Sequence, residues 1–406
     1  MRILLISTNY WPEPSGIAVY TTDLAEALLE KSNSVSVLTS LPHYPWWRIP
    51  SEYVGQGEGV HEINGVRVHR AKHLIPSQMN AVKRMRFEFS LWRNLNRVSK
   101  ALESKDFEAV ISCIPTVAAG LVGKRLARRF NSPFGLIVQD LSGAGAKQSG
   151  LKGGALFSAI ATRLELSVIA AADQLVVVSP AMGEVIQREG YPANKITLIP
   201  NYSAKSITTL ERDAARHVFG WSSDDFIVLH TGNMGAKQGL ENVVEAARNL
   251  DFDPNIKIYL VGHGNREDQL KKLSADLLNS EVLPAVSDDE YSALLSAADL
   301  LLVNERPTQM EMSLPSKLTS YLYSNRPVLA AVPRDGATWK YLNGIAELVE
   351  AGNPEALAHK IIELKDNSSR RKELASVGSE FARNNLDPET GRKRYIEWVN
   401  QLISSK

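Results

Sequence analysis

The amino-acid sequence predicts an α/β protein built from two doubly wound parallel sheets in tandem. Short runs rich in β-branched residues alternate with amphipathic stretches of helical period, which is the pattern of consecutive β–α–β units. This alternation pauses where turn residues gather between positions 179 and 211, and then it restarts. The length of 406 residues also favours two domains over one.

Six strands and three clear helices are predicted in the first part of the chain. The strands cover residues 2–7, 34–39, 66–70, 109–114, 134–139 and 174–179. The helices cover residues 20–31, 117–130 and 155–172. The only cysteine, Cys113, lies in one of the apolar runs, which indicates a buried thiol and excludes a disulfide scaffold or a cysteine-based zinc site.

Five further strands and five helices are predicted in the second part. The strands cover residues 226–230, 256–261, 300–303, 328–331 and 346–349. The helices cover residues 240–250, 267–279, 288–298, 317–324 and 354–365. We therefore predict one domain over residues 1–185 and a second over residues 205–388.

The charge is balanced overall but uneven along the chain. A formal net charge of +1 argues against a protein that coats nucleic acid. Residues 1–180 carry 20 basic and 14 acidic side chains, and the segment 83–100 alone carries six basic and one acidic. Phe87, Leu91 and Leu95 recur there at helical spacing. The segment is therefore predicted to be either a basic helix on an anionic membrane surface or an ordinary surface helix packed on its own domain.

The N-terminus has no signal-peptide pattern, and no apolar run is long enough to cross a bilayer. The expected location is the cytoplasm, with a membrane contact left open by segment 83–100.

Open α/β sheets bind ligands at the carboxyl ends of their strands, near the point where the strand order reverses, so the loops after strands are the candidate sites. After the first strand, Gly16 lies where a helix begins; its backbone N–H either approaches an anion or belongs to a plain turn. After the strand at 226–230, Gly232, Lys237 and a further glycine precede a helix and form a plausible diphosphate cradle.

Other strand ends carry weaker signals. Gly262 and Gly264 lie either against a nucleoside or in a structural turn. The polar stretch 303–317 precedes a helix that starts near Ser316, and the Ser316 hydroxyl is predicted to cap that helix. Asp140 follows the strand at 134–139 and is either a catalytic carboxylate or a loop carboxylate.

A D-x-D triplet, Asp251 and Asp253, is interpreted as turn chemistry because it lies between a helix and the next strand. No metal site is predicted.

Four segments in this order resemble the retaining GT-B glycosyltransferases of family 4, in particular the exopolysaccharide branch of colanic-acid type. The segments are PEPSGIAVY at 12–20, TGNMGAKQGLE at 231–241, VGHGN at 261–265 and SLPSKLTSYLYSNRPVL at 313–329. The resemblance covers nearly the whole chain. It implies two facing Rossmann-like domains with the active-site cleft between them. The first domain would bind the acceptor and the second the nucleotide-sugar, and a last helix at 390–406 would pack back on the first.

The resemblance also assigns residues. Gly16 would touch the donor diphosphate, and Lys237 would neutralise the diphosphate as it leaves. Asp140 would stabilise positive charge on the sugar or orient the acceptor. The remaining donor-binding positions are Gly232, Asn233, Gly262, Gly264, Ser313, Ser316 and Lys317.

The chain departs from the family pattern at two places. The family commonly has an arginine where this chain has Asn233, and Arg306 or Lys317 is a candidate replacement for its charge. The family's paired glutamates, spaced E-x7-E, fall on Met312 and Ser320. Glu311 is then the candidate carboxylate toward the sugar, and Ser313 with Ser316 is the alternative.

The implied activity is metal-independent hexosyl transfer without a cofactor. The donor would be a UDP- or GDP-sugar, and the acceptor a glycan or a lipid-linked glycan at the inner face of the plasma membrane, in bacterial surface polysaccharide synthesis. The alternatives are a GT-B-like nucleotide-sugar epimerase and a non-catalytic sugar-nucleotide-binding protein. An NAD-dependent oxidoreductase is excluded, since the dinucleotide fingerprint is absent.

Overall fold

The structure is a computed structural model, which describes residues 1–14, 16–31, 34–55, 57–76, 80–102, 107–141, 155–202, 208–308 and 314–405. The chain divides into two compact units. The N-terminal unit comprises Met1–Pro200 and Pro388–Lys406, and the C-terminal unit comprises Asn201–Asp387. Each unit is built on its own sheet, so the predicted α/β class with two mainly parallel sheets is confirmed.

The sheet of the N-terminal unit has eight strands in the spatial order β3-β4-β2-β1-β5-β6-β7-β8. The strands are β1 (Arg2–Ile6), β2 (Ser34–Ser40), β3 (Gly59–Ile63), β4 (Val66–Ala71), β5 (Ala109–Ile114), β6 (Phe134–Val138), β7 (Gln174–Val177) and β8 (Ile196–Leu198). All neighbours are parallel except β3, which runs antiparallel to β4. The strand order reverses between β1 and β5.

Two of these strands, β3 and β8, were not predicted. β3 is an edge strand with no buried position, and β8 has only three residues, none of them buried. Neither strand forms the apolar run by which a buried strand is recognised.

Helices cover the N-terminal sheet. They are α1 (Ile17–Lys31), α2 (Ala81–Val98), α3 (Val117–Phe130), α4 (Ala155–Ile169) and α5 (Pro180–Arg188), together with the last helix of the chain, α14 (Pro388–Ser404). On α14, Trp398 and Leu402 are fully buried, and the absent side chain of Gly135 on β6 makes room for them. Arg392 of α14 donates to Asp23 of α1 at 3.0 Å, which ties the end of the chain to the first helix.

The sheet of the C-terminal unit has six parallel strands in the order β11-β10-β9-β12-β13-β14. The strands are β9 (Phe226–Asn233), β10 (Ile256–His263), β11 (Ser280–Leu283), β12 (Leu300–Asn304), β13 (Val328–Val332) and β14 (Glu347–Glu350). The short edge strand β11 was not predicted. The order reverses between β9 and β12.

The helices of the C-terminal unit complete two apolar layers, one on each face of its sheet. They are α6 (Arg212–Phe219), α7 (Glu241–Arg248), α8 (Glu267–Ser274), α9 (Asp288–Ala297), α10 (Lys317–Tyr323), α11 (Ala337–Leu342), α12 (Pro354–Asp366) and α13 (Ser368–Asn385). Alternate residues of β9 serve opposite layers: Val228 packs in one core and Leu229 in the other. Continuous apolar runs therefore fit strands buried on both faces.

Candidate functional site

The site in the C-terminal unit lies where β9 and β12 end next to each other, at the reversal of the strand order. This is the position at which open α/β sheets bind ligands. β9 stays paired with β10 to its last residues, where Gly232 lies opposite Gly262. Gly232 and Asn233 are exposed at the strand end.

Gly262 and Gly264 pack against the backbone of the β9 end. A Cβ on Gly262, where φ is +151°, would lie 1.9 Å from the Gly232 carbonyl oxygen. A Cβ on Gly264 would lie 2.3 Å from the Met234 carbonyl oxygen. Both glycines are therefore needed for the close approach of two loops, which supports the turn interpretation; their contact with a nucleoside stays a prediction.

Asn304, at the end of β12, fixes the loop that carries Lys237. Its side-chain N–H groups donate to the carbonyls of Gln238 at 2.7 Å and Gly239 at 3.0 Å, and its side-chain oxygen accepts from Asn242 at 2.9 Å. The backbone N–H of Arg306 donates to the Lys237 carbonyl at 3.0 Å. The loop backbone is held on both sides, while the Lys237 side chain is exposed.

A cavity of about 60 Å³ lies beside this loop. Its lining residues are Lys237, Gln238, Val303, Asn304, Glu305, Pro315 and Lys317. Glu305 is only 8% exposed and accepts a hydrogen bond from the Thr338 hydroxyl at 2.6 Å. Lys237, from the loop after β9, and Lys317, the first residue of α10, thus line one small cavity near the exposed backbone of Gly232, and two cationic side chains suit an anion.

Lys317 is the first residue of α10, and its amine reaches the end of β9. Its Nζ lies 2.9 Å from Nε2 of His230, and it would be 3.7 Å from a Cβ on Gly232. Burial lowers the pKa of Lys317 to about 7, and the negative charge of Glu305 acts in the opposite direction. The structure therefore brings Gly232, Lys237 and Lys317 to one edge of the sheet, and their contact with the donor stays a prediction.

Asn233 and Ser316 are exposed near this edge. The Asn233 side chain donates to the Gln238 side chain at 3.3 Å, so it orders the loop. The expectation that Ser316 caps α10 is wrong, because its backbone is already helical and its side chain makes no capping hydrogen bond. Glu311 and Ser313 lie outside the described residues.

In the N-terminal unit, Gly16 precedes α1 with a φ of +68°, which disfavours any other residue. A Cβ there would also meet the ring of Tyr44 at 3.0 Å. Asp140 is exposed at the carboxyl end of β6, where one carboxylate oxygen accepts from the Leu141 N–H at 2.8 Å. Their roles toward donor and acceptor stay predictions.

Sequence reasoning missed the buried polar group at the ends of β1 and β2. Glu13 is 4% exposed and accepts from the backbone N–H groups of His43 at 2.7 Å and Tyr44 at 2.9 Å, and from the Asn9 side chain at 2.8 Å. Arg70, 1% exposed, donates to the carbonyls of Ser40 and Trp11. The signal available in the sequence was a glutamate between two prolines in a strand-end loop.

These hydrogen bonds hold two loops that expose aromatic side chains. The exposed aromatics of the two loops are Trp11, Tyr44, Trp46 and Trp47.

Helix α2 is apolar on two faces. One face is buried and comprises Phe87, Leu91 and Leu95. The other is exposed and comprises Val82, Met85, Phe89 and Trp92, which recur at spacings of three and four residues. The Phe89 and Trp92 rings stack at 5.8 Å. None of the helices in the described ranges is long and apolar enough to cross a membrane.

The D-x-D triplet lies in the turn before β10, at the amino end of the sheet. Asp253 pairs with Lys365 and accepts from the Asn255 N–H at 3.1 Å, in agreement with the turn interpretation. Across the described residues, no group of three or more histidine, cysteine or acidic side chains is placed to hold a metal ion.

Two family models match the chain in succession. A glycosyl transferase 4-like domain matches residues 15–202, and the glycosyl transferases group 1 model matches residues 211–381. Among curated proteins, the chain is 29% identical over 412 residues to the putative colanic acid biosynthesis glycosyl transferase WcaI of Escherichia coli (strain K12), covering 98% of this chain and 99% of that one. It is 23% identical to the lipopolysaccharide core biosynthesis glycosyltransferase LpsD of Rhizobium meliloti, over 57% and 65% of the two chains.

Solved structures share the fold. Sucrose-phosphate synthase of Thermosynechococcus elongatus superposes with a TM-score of 0.77 at 19% identity, over the full length of both chains. HepE of Anabaena, in complex with UDP, superposes with a TM-score of 0.71 at 16% identity, over 99% and 100% of the two chains. Since the two family models together span most of the chain and each unit carries its own sheet, the chain belongs to the family 4 glycosyltransferases of GT-B fold.

Proposed function

We propose that this glycosyltransferase moves a sugar from a nucleoside-diphosphate sugar to a lipid-linked glycan in bacterial surface polysaccharide synthesis, with retention of anomeric configuration. The observation that carries the proposal is the pair Lys237 and Lys317 beside Gly232, at the strand-order reversal of a group 1 domain. The similarity to a colanic acid transferase and to a lipopolysaccharide core transferase supports the polysaccharide context.

The two lysines are the proposed cations for the donor diphosphate. An ammonium group that donates to a phosphate oxygen in a partly dehydrated site forms a hydrogen bond about twice as strong as a neutral one. Positive charge at this position stabilises the diphosphate as it leaves, which is the task that a divalent metal performs in other transferases. Related structures bind UDP and UDP-glucose, which supports a nucleoside diphosphate here.

In the proposed reaction, the bond from the anomeric carbon to the diphosphate oxygen breaks while the acceptor hydroxyl attacks from the same face. The acceptor proton passes to the leaving diphosphate, and Asp140 stabilises the positive charge on the sugar or orients the acceptor. Glu311, Ser313 and Ser316 are proposed to bind the sugar hydroxyls, with Asn233, Gly262, Gly264 and Gly16 around the nucleotide and diphosphate.

Helix α2 is the proposed membrane contact. Its outer face combines the exposed apolar residues with the exposed Arg86 and Arg93, whereas Arg84 pairs with Glu88 at 2.9 Å. Basic residues near an anionic membrane surface each contribute about 1 kcal/mol to the binding free energy. Aromatic side chains are enriched at the membrane–water interface. This geometry suits an enzyme that takes a lipid-linked acceptor from the inner leaflet.

The test is a transfer assay with UDP- and GDP-sugars and a lipid-linked saccharide extract. Transfer should release the nucleoside diphosphate only when the acceptor is present, and NMR of the product should show the donor's anomeric configuration. Conversion of the donor sugar without an acceptor would favour the epimerase alternative. Binding without transfer to any acceptor would favour a non-catalytic protein.

A further inference from the structure

His230 has a defined role in the geometry around Lys317. It lies on β9, is 0% exposed, and its Nδ1 is 3.1 Å from the Leu302 carbonyl oxygen on β12. A carbonyl only accepts hydrogen bonds, so Nδ1 carries the proton. Burial, together with the charge of Lys317, holds the pKa of His230 well below its usual value, and these two effects outweigh the backbone hydrogen bonds with Leu302 and Asn233 that act in the opposite direction. The ring is therefore neutral, and Nε2 is a lone pair.

That lone pair faces the Lys317 amine at 2.9 Å. A neutral acceptor fixes the position of the amine without cancelling its positive charge, unlike a carboxylate in direct contact. A second contact fixes the same helix: the Thr231 N–H donates to the Tyr321 hydroxyl, one turn after Lys317, at 2.7 Å. The amine is thus held at the end of β9, next to the exposed Gly232.

The titratable groups around this amine lie on three of the described segments. Glu305, after β12, favours the protonated form. Lys237, from the loop after β9, lines the same cavity. His230 contributes a neutral ring. An arriving diphosphate brings two or more negative charges into this environment and favours the ammonium form strongly.

We propose that His230 positions the Lys317 amine as an anion site that takes up a proton when the donor diphosphate binds. The inference rests on the proposed function, because it takes that diphosphate as the anion. The pKa of Lys317 near 7 in the unliganded protein agrees with it, since much of the amine is then uncharged above neutral pH. Binding there must add a proton, so affinity falls as the pH rises above 7.

The experiment is isothermal titration of the full chain with UDP, and with GDP as a second probe, at pH 8 in buffers of different ionisation enthalpy. The diphosphate groups of both nucleotides are fully ionised at this pH. We expect uptake of about one proton per nucleotide bound, and a loss of about tenfold in affinity for each pH unit above 7. Lys317→Arg is the matched control: its charge persists at all these pH values, so it should bind without proton uptake.

Positioning by His230 has its own variants. His230→Gln keeps an acceptor and should stay within about threefold of the native affinity, whereas His230→Phe should lose about tenfold. His230→Leu gives the same comparison if the phenylalanine does not fold.

Nucleotide binding by the native protein without proton uptake, or equal uptake by Lys317→Arg, overturns the proton coupling alone. Native affinity in the folded Phe or Leu variant overturns the positioning role. If neither nucleotide binds at millimolar concentration, the proposed donor class fails as well.

Discussion

The two sheets reverse their strand order in the same way, yet the side chains at the two reversals differ in kind. In the C-terminal unit, the His230 ring of β9 contacts the Leu302 carbonyl of β12 and the Lys317 amine, and Lys317 lines a cavity together with Lys237. In the N-terminal unit, the ends of β1 and β5 are joined by neutral hydroxyls: Thr8 and Thr116 lie in hydrogen-bond contact at 2.9 Å and are buried.

Two buried charged groups of the N-terminal unit, Glu13 and Arg70, form hydrogen bonds to neighbouring loops. Glu13 accepts hydrogen bonds from three donors and Arg70 donates to two backbone carbonyls, so both hold loops. In the C-terminal unit, the neutral His230 ring fixes the Lys317 amine and does not neutralise the charge that the amine is proposed to gain when an anion binds. The same backbone topology thus carries a proposed anion site in one unit and loops held by a buried carboxylate and guanidinium in the other.

The largest expected effect comes from removing the Glu13 carboxylate that holds the loops of the N-terminal unit. Glu13→Ala should destabilise the protein by about 2–4 kcal/mol, because buried N–H groups lose their acceptor. Nucleotide affinity should change less than stability does, since the two lysines proposed to hold the diphosphate lie in the C-terminal unit. Calorimetric unfolding of Glu13→Ala beside Glu13→Gln, which keeps one oxygen, measures the first effect. An equally stable alanine variant would contradict the structural role.

The next largest effect is expected at the proposed anion site. Lys237→Ala should weaken nucleoside-diphosphate binding by about tenfold to a hundredfold through loss of a charge-assisted hydrogen bond. Thr116→Val is the matched control at the other reversal and should leave the affinity as it is. Titration calorimetry measures both variants, and an unchanged affinity in Lys237→Ala would remove this residue from the donor site.

Comparison of the two reversals also shows which site residues a local sequence pattern predicts and which it does not. Gly232 and Lys237 are neighbours in one loop, so a local pattern predicts them. His230 and Lys317 are 87 residues apart. A local pattern predicts the helix start at residue 317, but it does not encode which strand of the sheet that helix start meets. Glu13 was missed for the same reason, because two of its three donors, the backbone N–H groups of His43 and Tyr44, come from another loop.

A smaller effect is expected at the membrane face. Phe89→Ser with Trp92→Ser should weaken binding to vesicles containing anionic phospholipid by about tenfold, since two apolar side chains no longer enter the interface. Phe252→Ser, an exposed phenylalanine of the C-terminal unit, is the matched control. Vesicle sedimentation at two salt concentrations measures the binding, which should also fall with salt and in Arg86→Ser with Arg93→Ser. Absence of native binding would leave α2 as an ordinary surface helix.

The smallest effect is expected from metal removal, and it completes the contrast. If Lys237 and Lys317 supply the positive field at the diphosphate, transfer in excess EDTA should proceed at the native rate. The acidic pair Asp251 and Asp253 gives the matched variant: Asp253 is already paired with Lys365 at the amino end of the sheet, away from the strand ends that carry the lysines. Asp253→Asn should therefore retain transfer activity with and without EDTA. Activity that EDTA abolishes and Mg²⁺ or Mn²⁺ restores would show that the lysines do not suffice, and a metal would then have to be sought at the diphosphate itself.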